Sequence, residues 1–468
     1  MDSKKEIQEI IEEGERINNE VKNKENIMGK LPVNKLLVKM AMPLIFSLLV
    51  QALYSIVDSI YVSKLGESAL TAISLSMTPQ YLIMAVGTGI GVGVNALLSS
   101  RLGKKDMDGV NRSVGNGIVL DWLCGILFVL VGLFLIPPFF QIMTDVISIQ
   151  EMAVDYGSVI CLFAICSFQQ ILMERVLIAT GRAQGAMVSM IVGSVINIIL
   201  DPILIWGYFG FPEMGIAGAA YATVISQGVA AIVSFVLNLY WNKDVSFKTS
   251  MLHLEKNTVK KIVETSIPVA LSLSIIAVLA FGVNGALLRV STVAPAIYVI
   301  YIRLQSFVLM PADGMRDAGI AIIAYNYSRK SKTRIIETVK KSMIAHLFCA
   351  IIGIVLFWGV PHILLQIFDA SSDMIKVGVP ALRIISIAFP LTGGTHIIAG
   401  YLQALGHSDK TFIVSIIQAI TLIGGAWLLS FTGSVNLVWL AFPIVEIIIF
   451  AISSIFAYRV YNQKLRIL

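Results

Sequence analysis

Residues 42 to 66 read MPLIFSLLVQALYSIVDSIYVSKLG. The run is long and apolar enough to cross a bilayer, which takes about 20 residues as a helix. Yet Asp58 sits well inside it. An acid at that depth costs free energy unless it faces a bundle interior or a water-filled cavity, so it marks function by default.

The rest of the chain is built the same way. Of its 468 residues 57% are hydrophobic and 14% charged, a membrane composition rather than a soluble one. Further apolar runs lie near 69–99, 113–136, 150–178, 185–207, 215–240, 262–288, 295–325, 342–360, 376–404, 411–431 and 436–458, which with 36–62 makes twelve spans. The predicted fold is an all-α integral membrane protein.

The net charge of +6 is distributed by loop, which argues for membrane topology over nucleic acid. Arg101, Lys104, Lys105 and Arg112 follow span two; Lys243, Lys248, Lys256, Lys260 and Lys261 follow span six; Arg329, Lys330, Lys332, Arg334, Lys340 and Lys341 follow span eight. The alternate loops near Pro137, Phe211, Pro361 and Thr432 carry none. The positive-inside rule then predicts both termini in the cytoplasm, and the expected location is the cell inner (plasma) membrane. The first 30 residues lack the apolar core of a signal peptide and read as a cytosolic helical or disordered tail. Cys124, Cys161, Cys166 and Cys349 lie in spans without metal spacing and read as packing residues.

Sliding the chain by 225 positions sets Pro43 on Pro268, Gly89 on Gly314, Gly181 on Gly406 and the basic pair Lys104 and Lys105 on Arg329 and Lys330. Six spans and their loop charges repeat in step. An even number preserves orientation, so the repeat is parallel, about an axis along the membrane normal. The expected division is a tail at 1–32, an N-lobe at 33–241, a linker at 242–261, a C-lobe at 262–460 and a C-terminal tail at 461–468. The glycine-dense GTGIGVGVNALLSS fits neither nucleotide-binding pattern and reads as close helix packing at Gly89 and Gly93.

At 100° per residue Ser47, Gln51, Tyr54, Ser55 and Asp58 form one stripe on span one. In span five, VINIILDPILIWG sets Asn197 and Asp201 on one face at a depth close to that of Asp58, with Pro202 placed to bend the helix and free a carbonyl. Span six brings Thr223 and Ser226 to the same layer. Two carboxylates, an amide and a hydroxyl suit one proton or one Na⁺, because low dielectric and a neighbouring carboxylate both favour the protonated form and a bound cation favours the ionised one. A structural hydrogen-bond network is the alternative. No metal beyond Na⁺ at Asp58 and Asp201 is expected, and no cofactor.

The second half does not copy this set: Val283, Leu422 and Ala426 stand where Asp58, Asn197 and Asp201 would fall. It carries Asp313, Arg316 and Asp317 in PADGMRDAG, with Glu446, His396, Arg303 and Arg383. Asp313 and Arg316 have the spacing of an ion pair. His346 and His396 read as lone, satisfied interior histidines. Glu174 and Arg175, adjacent near the cytosolic end of span four, read as gating or structural pairing. Tyr54, Tyr61, Met77, Tyr81 and Met84 offer an apolar wall to a cavity, although Met and aromatic side chains more often pack.

The span-one pattern, the span-two run ending in SSRLGKK, IATGRAQ leading into NIILDPILIWGYFG, GIAGAAYATVISQ and IAYNYSRK together resemble the multidrug and toxic compound extrusion (MATE) transporters, from about Leu36 to Tyr461. The resemblance implies twelve helices in two pseudo-symmetric six-helix lobes (a MATE / MOP-flippase-like fold). It further implies a V-shaped antiporter, not an enzyme, that exports lipophilic, mainly cationic drugs in exchange for H⁺ or Na⁺. In the branch similar to bacterial DNA-damage-inducible and multidrug-resistance members, the span-one aspartate and span-five Asn-xxx-Asp serve the coupling ion; these carry over to Asp58, Asn197 and Asp201, and the span-six threonine to Thr223. Members with Na⁺-binding acids in spans seven and ten have no counterpart here. Expected partners are small-molecule drugs or organic cations and the lipid bilayer, with no nucleic acid, for a monomer. The alternative activity is a flippase for a lipid-linked saccharide, which a cavity dominated by Arg303, Arg316 and Arg383 would favour.

Overall fold

The computed structural model describes residues 26 to 467 apart from 66, 144, 248–250, 292 and 369–370, and apart from the side chains of 55, 56, 59, 60, 63, 67, 68, 70, 71, 74, 277, 280 and 281. Lipid cannot satisfy a backbone amide, so each spanning segment must bond to itself, and the described chain is a succession of long helices: α1 (Val33–Ser63), α2 (Glu67–Gly103), α3 (Met107–Leu130, continued through a π turn to Met143), α4a and α4b (Ile147–Leu162, Ala164–Ala179), α5 (Ala183–Trp206), α6 (Gly215–Tyr240), α7 (Lys256–Val290), α8 (Ala294–Ser328), α9 (Lys332–Gly359), α10a and α10b (Ser372–Ser386, Phe389–Ala404), α11 (Ser408–Ser430) and α12 (Val435–Val460). Nine of the described helices are long and apolar enough to cross alone, and the two bent pairs bring that to eleven. The remaining helix, α7, fills the position of the seventh expected span and has 35 residues.

The two halves repeat in geometry. The bends of 47° between α4a and α4b and 48° between α10a and α10b fall at Phe163 and Ala388, positions 225 apart. Lys105 and Lys330, both with positive φ (61° and 57°), stand 225 apart, as do Gly181 and Gly406 (85° and 78°). Ser47 Oγ donates to the Pro43 carbonyl at 2.9 Å and Ser272 Oγ to that of Pro268 at 2.7 Å. At the opposite ends Lys64 lies 5.6 Å from the Trp206 ring and Arg289 4.0 Å from that of Phe431, again the same pair of positions in each half. Each cation is held over a ring face, an attraction that suits the membrane interface. Pro202, expected to bend the helix, lies within α5, which continues to Trp206.

The lobes share a core on one side only. Where the basic loops and both chain ends gather, Leu36, Met40, Leu98 and Val176 pack with Met315, Ala318, Ile322 and Tyr325 of α8. Val92 and Ala96 join Val269, Ile320 and Leu402 there. On the other side the cores separate: one is drawn from α1 to α6, the other from α7 to α12. This is a V closed at the side of the termini. The close approach needs glycine: a Cβ at Gly89 would stand 2.6 Å from the Ser266 carbonyl oxygen, and one at Gly93 2.7 Å from that of Ile262.

The same side is strapped by the chain's first described residues. Asn26 Nδ2 donates to Thr180 O at 2.9 Å and to Asp244 at 3.2 Å, while Asn326 and Arg334 of the other lobe donate to Met28 O. Met28 is fully buried. Asn26 to Leu31, expected within a tail, is therefore packed between the lobes.

Gly89→Ala and Gly93→Ala are each expected to cost about 1–3 kcal/mol by overpacking against backbone, read as a fall in the thermal midpoint of the detergent-solubilised protein. Gly424→Ala, whose Cβ meets nothing within 4 Å, serves as the control and leaves the midpoint unchanged or raised. Unchanged midpoints in the first two would contradict the packing described.

Candidate functional site

Helix α1 packs along α5, and this pairing brings the two predicted acids together: the Asp58 carboxyl is within hydrogen-bonding reach of Asp201. An ionised carboxylate only accepts hydrogen bonds, so two in contact need a proton or a cation between them. Asp201 is wholly buried and Asn197 nearly so; the Asn197 amide donates to Asp201 Oδ1 over a long 3.4 Å. Asn197 Oδ1 and Asp201 Oδ2 have no hydrogen-bond partner among the described residues. Two orphaned, buried oxygens beside an acid pair form a donor set of the kind that suits H⁺ or Na⁺, both of which seek oxygen.

The surrounding residues sort themselves by contact. Gln51 lies beside Tyr54, whose phenol lies in the field of Asp58 and Asp201. Thr223 donates to Ala219 O at 3.0 Å, and the nearby Tyr156 phenol lies in the field of both acids. Ser226 turns away to its own helix, donating to Thr223 O. Tyr61 packs edge-on against Trp206 at 5.6 Å and is partly buried against the outer core of the N-lobe. Met84 is 40% exposed. The Ser55 side chain lies outside the described residues.

The second-lobe charges form a separate set. Asp313 accepts from Arg316 and from His396 Nδ1, each at 2.9 Å, and Arg316 Nε reaches Asp317 at 3.1 Å. The expected Asp313 and Arg316 pair is present; His396, expected as a satisfied interior side chain, is bonded to the same acid because α10b crosses α8 at that level. His346 is held by the Phe389 carbonyl. Glu446 accepts from Gln418 at 2.7 Å and stands near His396 and Thr392. Of the three arginines, Arg316 is paired with two acids, Arg383 donates to the Trp358 carbonyl and Arg303 is exposed.

Three features are additions to the sequence reading. Tyr156, on α4a, has no helical phase relation to α1 that spacing could expose. Asp121 is buried in α3 and bonded by Gln169 at 3.3 Å; an acid within IVLDWLCG is the signal that flags it. Arg175 forms an ion pair of 2.8 Å with Asp317 across the lobes, a partnership between distant segments. Among the described residues no three His, Cys, Asp or Glu side chains are grouped to hold a metal.

Two repeated helical lobes, a one-sided interface and a buried acid pair in one lobe define a polytopic membrane protein of the two-lobed transporter class. The chain belongs to the MatE family, whose model matches it twice, at residues 43–203 and 268–428, two copies again 225 positions apart. It is similar to the multidrug export protein MepA of Staphylococcus haemolyticus, 26% identical over 413 residues covering 86% of this chain and 89% of the relative. It also resembles the probable multidrug resistance protein YoeA of Bacillus subtilis, 23% identical over 427 residues, covering 90% and 91%. Among solved structures, MATE in complex with MaL6 superposes with a TM-score of 0.89 at 21% identity, covering 94% and 99% of the two chains. An outward-facing multidrug resistance MATE family transporter superposes at 0.87 and 21%, covering 95% and 99%. The structural likeness establishes the twelve-helix, two-lobed fold.

Tyr156→Phe keeps the buried ring and removes the hydroxyl that lies near Thr223 and in the field of both acids. If that hydroxyl organises the acid pair, apparent affinity for H⁺ or Na⁺, followed by tryptophan fluorescence, falls about three- to tenfold, as for one lost buried hydrogen bond. A titration unchanged from the parent would contradict that role.

Proposed function

We propose that this protein is a secondary active multidrug efflux antiporter of the plasma membrane, with both termini cytoplasmic. It exports lipophilic, mainly cationic compounds in exchange for H⁺ or Na⁺, through alternating access of a cleft between its lobes. The observation that carries this reading is the Asp58 and Asp201 pair, whose contact requires a shared proton or cation, in the lobe that also supplies one wall of the opening. Family membership and relatives named for multidrug export support the same cargo class.

In this mechanism the V open away from the basic loops is the outward-facing state. Asp58 and Asp201, with Asn197 and Thr223, take up the ion from outside. The local network tightens, α1 shifts at Pro43 or along its polar stripe, and the drug leaves. Such an exchange works only if ion and drug bind the two states with different affinities. The sequence divides for this purpose into an N-lobe at 33–241 and a C-lobe at 262–460 joined by the linker at 242–261, and the working unit is a monomer. Asp313, Arg316, Asp317 and Glu446 act as the C-lobe's charged counterpart, with Gln51, Tyr54, Ser55, Tyr61 and Met84 as candidates for the cavity wall. The flippase alternative requires a cationic cavity for an anionic cargo, and the pairing of Arg316 with Asp313 and Asp317 disfavours it.

Ethidium efflux from proteoliposomes under separately imposed pH and Na⁺ gradients tests the proposal. The parent moves dye under at least one gradient, and Asp58→Asn loses gradient-driven efflux by at least about tenfold, as for a lost coupling site. Equal pumping by both proteins under both gradients would exclude the coupling role. Failure of the parent to move dye or another lipophilic cation would return the flippase reading to first place.

A further inference from the structure

Gly91 and Arg316 stand 225 positions apart, and so do Arg175 and Gly400. The structure gives that exchange a purpose. A Cβ at Gly91 would lie 2.8 Å from Arg175 Cγ, and a Cβ at Gly400 2.8 Å from Arg316 Cγ. Each lobe thus places one arginine stem in a groove that a glycine leaves on the facing helix, but the N-lobe carries its arginine on α4b and the C-lobe on α8. Both guanidinium groups converge on one carboxylate. Arg175 Nη1 is 2.8 Å from Asp317 Oδ2, and Arg316 Nε is 3.1 Å from Asp317 Oδ1.

Asp317 is thus held by one arginine of each lobe, with its side chain only 14% exposed and that of Arg175 13%. The site lies near the end of inter-lobe contact. Asp317 is one turn on from Gly314, where a Cβ would stand 2.5 Å from Ile45 Cγ1, and beyond this level the lobe cores are separate. The two attachments are not equivalent. If the lobes part on the closed side, Arg316 stays with Asp317 because both are on α8, whereas Arg175 must leave. The acid left to Arg175 is its neighbour Glu174, which feels its charge and is already held by Gln170 and Ser189.

We infer that Arg175 and Asp317 are positioning residues of the transport cycle: their inter-lobe ion pair holds the terminus side of the cleft closed, and its exchange for the Arg175 and Glu174 pairing accompanies opening there. Substituting either residue deletes the ion pair between the lobes: without Arg175, Asp317 keeps only Arg316 of its own helix, and without Asp317 the Arg175 charge stays buried with no carboxylate across the interface, so the closed state loses stability relative to the open one. The inference rests on the alternating-access reading, and its test is independent of cargo and gradient.

Spin labels at Asp108→Cys and Thr333→Cys, equivalent exposed positions at the terminus side of each lobe, report the separation there in lipid nanodiscs, in a background with the four native cysteines replaced. The parent gives predominantly one short distance. Arg175→Met and Asp317→Asn each raise the long-distance fraction about tenfold, the double variant raises it no further, and Arg175→Lys recovers most of the short distance. Distributions in Arg175→Met and Asp317→Asn that superimpose on the parent's, or effects of the two that add, would overturn the inference. Because this readout needs no transport, a failed clamp alongside ion-driven efflux sinks the clamp alone, and an intact clamp in a protein that exports nothing sinks the export reading alone.

Discussion

Two helical lobes in a bilayer gain little from hydrophobic attraction to each other, since lipid is as apolar as their surfaces. What joins them is close contact of backbone with backbone, and in this chain glycine decides where that happens. Gly89 and Gly93 set α2 against α7, Gly103 sets the end of α2 against the Tyr325 carbonyl, and Gly314 sets α8 against α1. All four lie in the half of the molecule that carries the termini. The cleft on the other side, the depth at which it stops and the burial of the charges at its floor all follow from that one-sided distribution.

On this common scaffold the halves have diverged in charge. The N-lobe holds two acids in contact, which need a proton or cation between them, and among the described residues neither Asp201 Oδ2 nor the neighbouring Asn197 Oδ1 has a hydrogen-bond partner. The C-lobe holds Asp313 and Asp317 in ion pairs with Arg316, with His396 bonded to Asp313, Arg175 of the other lobe on Asp317, and Glu446 satisfied at one oxygen by Gln418. Under the proposed function the N-lobe is the one that responds to the ion, and the C-lobe is linked to it through Arg175. In the proposed mechanism the free energy of ion binding reaches the cleft through α1, which contacts α5 at the acid pair and α8 across the interface.

Much of this was legible in the sequence because bilayer thickness and helical periodicity are strong constraints. The twelve runs correspond to α1 through α12, and the offset of 225 seen in Pro43, Gly89 and Gly181 recurs in dihedral angles, bends and cation–π contacts. Depth counting brought Asp58 to the level of Asp201, and α1 and α5 are indeed neighbours. Helical phase fixes the face of a residue but not which helix covers it, so Tyr156 and the partners of Arg175 and His396 were out of reach. The bend at Phe163 has no proline to announce it, whereas Pro202, which does advertise one, lies within α5, which continues to Trp206. The ring partner of Tyr61, Trp206, likewise lies on a helix that phase alone does not identify.

The central claim is that the Asp58 and Asp201 pair exchanges a small cation for cargo. The most direct measurement is cation release as tetraphenylphosphonium is titrated into weakly buffered, purified protein, with protons followed by a pH indicator and bound Na⁺ by radioactive tracer. The account predicts that the parent gives up H⁺ or Na⁺ as the ligand binds and that Asp58→Asn gives up neither. Equal release from the variant and the parent would contradict it.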